Sequence, residues 1–205
     1  MKDMTRRPLF WIFQVLVFFI STYFAWIYYP KAFPVVDLSI KMNRSAALRD
    51  AAALARHHHW GPADFRQSAS FELDDQTQTF IELAAGGKEA FSAVLKSGFY
   101  SPYTWQVRNF AEGKTNEAHI FFTPEGDFYG FIEKIPEDQP GEALSTTQAI
   151  QIAEKTAVQN WNLKLQDYTL VEKSNELKPS KRIDHTFVYE RTKERIGDGH
   201  YRLKL

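Results

Sequence analysis

Apolar and polar residues follow three different rhythms along this 205-residue chain. Residues 9–29, LFWIFQVLVFFISTYFAWIYY, contain no charge, and only Gln14, Ser21 and Thr22 among them are clearly polar. As a helix rising about 1.5 Å per residue, this run is roughly 30 Å long, the thickness of a bilayer's hydrocarbon core. Trp11 near one end and Trp26, Tyr28 and Tyr29 at the other occupy the places where amphipathic rings favour the headgroup region, and Pro30 is expected to end the helix. A signal peptide has a shorter apolar stretch and a small-x-small cleavage site, and none follows here. The run therefore predicts an uncleaved membrane anchor.

Beyond it the rhythm becomes helical, then alternating, and does so twice. In RSAALRDAAALARHHHW, Leu48, Ala51, Ala52 and Ala55 share one helical face, and Gly61-Pro62 stops the helix. In STTQAIQIAEKTAVQNW, Ser145 and Gln148 form a capping box ahead of an apolar stripe of Ile150, Ala153, Ala157 and Trp161. Each helix reaches a tryptophan, a short turn and an Asp-aromatic pair, Asp64-Phe65 in one case and Asp167-Tyr168 in the other, before strand-like segments begin. SFELDD and TFIEL follow the first helix; YTLVEK and IDHTFVYER follow the second. This is an internal repeat with a period near a hundred residues. Between the copies, Phe91, Val94 and Leu95 mark a short helix. Tyr103, Trp105 and Val107 then alternate as on a half-buried strand, and TPEGD makes a hairpin turn between AHIFF and FYGFIEK. The last residues, GHYRLKL, place Tyr201, Leu203 and Leu205 on one strand face.

These rhythms predict an α+β protein: a transmembrane helix followed by two helix-plus-antiparallel-sheet units. The expected divisions are a tail over 1–8, the span over 9–29 and an extended linker over 30–42. A first unit over 43–135, a linker over 136–144 and a second unit over 145–205 follow. The second unit reads as truncated, because its last strand has no turn or cap after it and it lacks the late hairpin of the first.

Charge adds a direction. Lys2, Arg6 and Arg7 crowd the tail while Lys31 alone lies close on the other side, which places the tail in the cytoplasm and the bulk of the chain outside it. Without Lys2, Arg6, Arg7 and Asp3, the 25 basic residues become 22 and the 25 acidic residues become 24. That balance offers nothing to nucleic acid. The chain has no cysteine, which removes disulfides, thiolate metal sites and cysteine nucleophiles.

Candidate chemistry is sparse. His57, His58 and His59 fall in the last turn of a helix, where histidine suits the negative end of the dipole. Successive helical side chains point about 100° apart and cannot grip one ion, whereas zinc on a helix takes ligands at i and i+4. Asp184 and His185 are strand neighbours facing opposite sides, and no G-x-S-x-G supplies a serine. AGGKEAF (85–91) lacks the glycine and the Ser/Thr of a phosphate loop. Asp74-Asp75 reads as an acidic turn and PEDQPGE as a linker. Asn43-Arg44-Ser45 fits a glycosylation sequon. No residue is read as catalytic, cofactor-binding or metal-ligating. The aromatics Tyr100, Tyr103, Trp105, Phe121 and Tyr129, set along strands with exposed edges, are candidates for pockets under an added peptide strand.

The stretches FPVVDLSIKMNRSAAL, GFYSPYTWQVRNF and RIDHTFVYER resemble the N-terminal region of bacterial CPBP-family intramembrane endopeptidases, the CAAX-protease and bacteriocin-processing relatives. The helix-then-strands copies also resemble PepSY-type, cystatin-like modules. The resemblance implies an extracytoplasmic region that binds or gates peptide or protein substrates for a catalytic membrane domain beyond Leu205. That family's Glu-Glu pair, arginine and histidines lie on membrane helices. This chain has no Glu-Glu dipeptide and no histidine in its apolar run, so no catalytic residue carries over. The alternative is a stand-alone anchored PepSY-like binding or regulatory protein.

Overall fold

A computed structural model describes residues 8–32 and 38–205, with the side chains of residues 30–32 excepted. Residues 1–7 of the expected tail and 33–37 of the expected 30–42 linker therefore lie outside the described residues. The architecture is α+β: an N-terminal apolar helix and two antiparallel sheets. Helix α1 runs from Pro8 to Ala32 and passes through Pro30 instead of stopping there. So close to the helix end, the missing proline N–H removes a single bond from the ladder. None of its apolar window is buried against the rest of the described chain.

The first sheet is a meander of β1 (Arg66–Leu73), β2 (Tyr103–Phe110), β3 (Glu117–Phe122) and β4 (Phe128–Lys134) in that order. Helix α2 (Arg44–His58) lies on one face. The Asn43 side chain accepts the Ala46 N–H and caps its first turn, so the sequon residue has a structural use. Ala47, Ala51 and Ala55 are almost fully buried, and side chains this small bring the helix axis close to the sheet. They meet Val107, Ala118, Ile120 and Phe122, which alternate with outward residues in register Val107↔Ile120 and Trp105↔Phe122. A polar tie fixes the contact: the Gln67 amide donates to the Leu48 carbonyl and to the fully buried Asn109. After α2, Gly61 turns with φ +73° and donates its N–H to Glu133. A Cβ there would come within 3.2 Å of the Ala118 nitrogen, so only glycine fits.

Two helices, α3 (Asp75–Ala84) and α4 (Gly87–Ser97), separate β1 from β2. The TFIEL segment, expected as a strand, is part of α3. Asp74 is not a plain acidic turn but the N-cap, accepting from the Thr77 N–H and hydroxyl. Capping chemistry outweighs the β-branched residues that follow. Ile81, Phe91 and Val94 close over Tyr103 and Phe71 in a second core cluster on the same face of the sheet as α2. The opposite face of the first sheet carries no helix of this unit.

The second sheet comprises β5 (Tyr168–Leu177), β6 (Ile183–Ile196) and β7 (Gly199–Lys204). Helix α5 (Thr146–Trp161) precedes it and opens with the expected Ser145–Gln148 capping box. Phe187 and Tyr189 are its buried residues beneath α5, and the Tyr189 hydroxyl donates to Glu154. Along α5 only Ala157 is fully buried, while Ile152 and Val158 stay exposed. Helix and strands thus occur twice, four strands in the first unit and three in the second.

The two units touch at several places among the described residues. Trp161 leaves α5 and stacks on Trp60 and Phe128 of the first unit, with ring centroids 5.6 Å and 4.7 Å apart. The β6–β7 turn rests on α3, where Gly197 and Gly199 leave no room for a Cβ beside Ala85 and Phe80. The 136–144 linker is pinned: the Arg182 guanidinium donates to the Pro136 and Gln139 carbonyls and grips Asp184.

Candidate functional site

The open face of the first sheet is polar at one end and apolar at the other. At the polar end, Glu117 is nearly buried beside Arg108 and Lys134, which neutralise it, and His119, 3.2 Å away. Hydrogen bonding from the Lys134 ammonium, with help from His119 and Arg108, holds its carboxyl down to about 2. A carboxyl depressed in the folded state stabilises the fold above the ordinary glutamate range, and that contribution fades as pH falls toward 2. The unfolding free energy of the intact chain, measured in urea, should therefore fall between pH 5 and pH 2.5 by about 1–3 kcal/mol more than that of Glu117→Gln. Parallel acid profiles for the two proteins would contradict this.

At the apolar end, a cavity of about 490 Å³ crosses β2, β3 and β4. Thr104 and Gln106 form its floor, Phe121 and Ile132 its walls, and Tyr100 and Tyr129 its rim. A second cavity of about 340 Å³ opens between the units and shares Asp74, Tyr100 and Tyr129 with the first. From the second unit it takes Tyr168, His200, Tyr201 and Arg202. The two spaces meet at the tyrosine pair and make one bent groove.

Local structure sets that rim. The Tyr100 hydroxyl donates to Asp74, whose carboxylate is already committed to the start of α3. Burial and then the Asp74 carboxylate push the Tyr100 phenol above its ordinary range, so it remains a donor at neutral pH. Burial likewise raises Tyr129, whose oxygen accepts from the Ser101 N–H at 3.4 Å. For Asp74, burial acts upward, but the bonds from Tyr100 and Thr77 win and lower it. Beside the groove, Arg191 lies 4.3 Å above the Phe99 ring and pairs with Glu194, tying β6 to the end of α4.

Of the five aromatics named from the sequence, the structure brings Tyr100, Phe121 and Tyr129 to this groove. Tyr103 and Trp105 are placed elsewhere. Both point to the helix-covered face, Tyr103 into the second core cluster and Trp105 with its indole N–H bonded to the Met42 carbonyl at 3.0 Å. Their parity on β2 decides this, since Val107 on the same face is fully buried. Ile132, Tyr168 and Tyr201 line the groove and were not singled out from the sequence. The alternating pattern of GHYRLKL put Tyr201 on one strand face with Leu203 and Leu205, but only the tertiary fold carries it to the first unit.

The three histidines end α2 as expected, with His59 in the left-handed cap position. His58 stacks on Trp60 at 4.5 Å, and burial followed by the charge of His57 lowers its basicity. Asp184 turns to Arg182, while His185 bonds the Leu144 carbonyl. Among the described residues no three His, Asp or Glu side chains gather as a metal site. No protein-family model matches the chain, and no curated protein or solved structure matches it either.

Proposed function

We propose that this chain is a membrane-anchored, extracytoplasmic binding region without catalysis of its own, which receives extended peptide or protein segments for a CPBP-type intramembrane endopeptidase. The bent groove on the uncovered sheet face is the observation that carries the binding reading. It is long, aromatic-walled and bordered by donors, and it runs to the β4 edge where a strand can be added. The uncharged 9–29 run of α1, long enough to cross a bilayer and with none of its apolar window buried, supports the anchor. The charge bias of its flanks supports an N-terminus in the cytoplasm. The three quoted stretches and the doubled helix-and-sheet unit support the link to the endopeptidase family and to PepSY-like modules. Among the described residues no group of side chains converges on a reaction.

The test uses the intact chain in detergent and fluorescein-labelled ten-residue peptides with alternating aromatic and polar positions. Binding is expected, and Phe121→Ala/Tyr129→Ala should weaken it at least tenfold, about 0.7 kcal/mol or more per ring, at an unchanged urea midpoint. Equal binding by the double variant, or none by the parent chain, overturns the groove assignment.

A further inference from the structure

The apolar helix carries a hydrogen-bonding demand that the chain itself does not meet. Thr22 satisfies its hydroxyl on the Phe18 carbonyl at 2.8 Å. Gln14 is different: its carboxamide is exposed, and among the described residues nothing bonds to it. It lies six residues, about 9 Å, inside the start of the helix, which is within hydrocarbon if α1 spans a bilayer. There water cannot serve it, and leaving an amide unbonded in an apolar medium is unfavourable.

The sequence around Gln14 supplies a face to go with it. Gln14, Phe18, Ser21, Ala25 and Tyr28 follow one another at steps of four, three, four and three residues. On a helix these fall within about an 80° arc, and the 3.5-residue average is the spacing of a left-handed helix pair. Ser21 and Ala25 are small enough to let another backbone approach between the larger Phe18 and Tyr28. All five side chains are exposed, and none of the apolar window is buried.

From these observations, and resting on the membrane-anchor reading above, we infer that α1 pairs with α1 of a second copy of this chain through the Gln14–Tyr28 face. The occupant follows from the chemistry of the amide. A carboxamide is both donor and acceptor, so an identical group across a two-fold axis closes two bonds at once. Two copies inserted in the same direction hold their Gln14 residues at the same depth, where a side chain of one kind alone would serve both. The pairing brings two copies of the soluble units to one point of the membrane.

The chain has no cysteine of its own, so single cysteines report neighbours cleanly. The full-length protein, in bacterial membranes and oxidised with copper-phenanthroline, should give disulfide dimers from Ser21→Cys and Ala25→Cys. Their yield should be at least fivefold that of Leu16→Cys and Tyr23→Cys on the opposite side of the helix. Gln14→Leu added to Ser21→Cys should cut the dimer yield at least fivefold, and Gln14→Asn should restore most of it. Dimers of equal yield around the helix, an unchanged yield with Gln14→Leu, or a cross-link only to a different protein would each overturn the self-pairing while the protein stays in the carbonate-washed pellet. Recovery of the protein in the carbonate supernatant would overturn the anchor itself, and the pairing with it.

Discussion

Trp60→Ala is expected to lower the stability of the soluble part by about 3–5 kcal/mol, the largest single effect among the aromatic residues. Trp60 is only 8% exposed although it lies one residue beyond the helix cap, because rings close over both its faces. Phe131 stacks on it at 3.9 Å and His58 at 4.5 Å, while Trp161 arrives from α5 at 5.6 Å. Truncation would leave a void that a backbone pinned by Gly61 and Ala118 cannot collapse to fill. Trp161→Ala should cost less, about 1–3 kcal/mol, since that ring is half-buried. The two losses should not add: the double variant should recover about 0.5–1.5 kcal/mol of the sum, the share belonging to the rings' mutual contact. Urea unfolding of the intact chain followed by far-UV circular dichroism measures all three. A Trp60→Ala loss below about 1 kcal/mol would show that the ring is peripheral to the fold.

The second large effect is at Arg182. Its side chain is 10% exposed, and the guanidinium makes four hydrogen bonds, two to linker carbonyls and two to Asp184. Arg182→Ala strands the Pro136 and Gln139 carbonyls and frees the linker, an expected loss of about 2–4 kcal/mol. Asp184, itself partly exposed, recovers some solvation and sets the upper limit. Lysine keeps the charge but not the planar fork, so Arg182→Lys should retain less than half of the contribution. Limited proteolysis supplies the local readout. Cleavage within residues 136–144 should accelerate in both variants, and an unchanged cleavage rate would mean that the linker is held by other contacts.

How far the sequence disclosed this fold varied with the kind of signal. Helices α2 and α5 were legible to within a residue or two because caps are local: Asn43, Ser145 and Gln148 sit next to the turns they close. Helix α3 was misread, since Thr77, Thr79, Phe80 and Ile81 favour a strand by type. The contrary signal was a single aspartate that also fits a turn. The groove was half legible. Alternation on β2 showed that Tyr103 and Trp105 share a face but could not say that α2, α3 and α4 would cover that face. Phe121 on β3 and Tyr129 on β4 came to the open side through a register that neither strand encodes alone, with an irregularity between Phe121 and Phe122. Trp161 looked like the counterpart of Trp60 within a repeat. In three dimensions it serves the first unit instead, a role that exists only once the two units meet.

The connection between β1 and β2 has a consequence for the order in which the chain assembles. Strands β2, β3 and β4 are joined by short turns and can pair as soon as they are made. The β1–β2 ladder must wait until α3 and α4 have folded back over some thirty intervening residues. Helix α2 rests on β1, β2 and β3 together, so its alanine face finds a complete seat only after that closure. A three-stranded nucleus near the middle of the soluble part, completed from its amino-terminal side, is the route this topology favours, with the Trp161 contact sealing the molecule last.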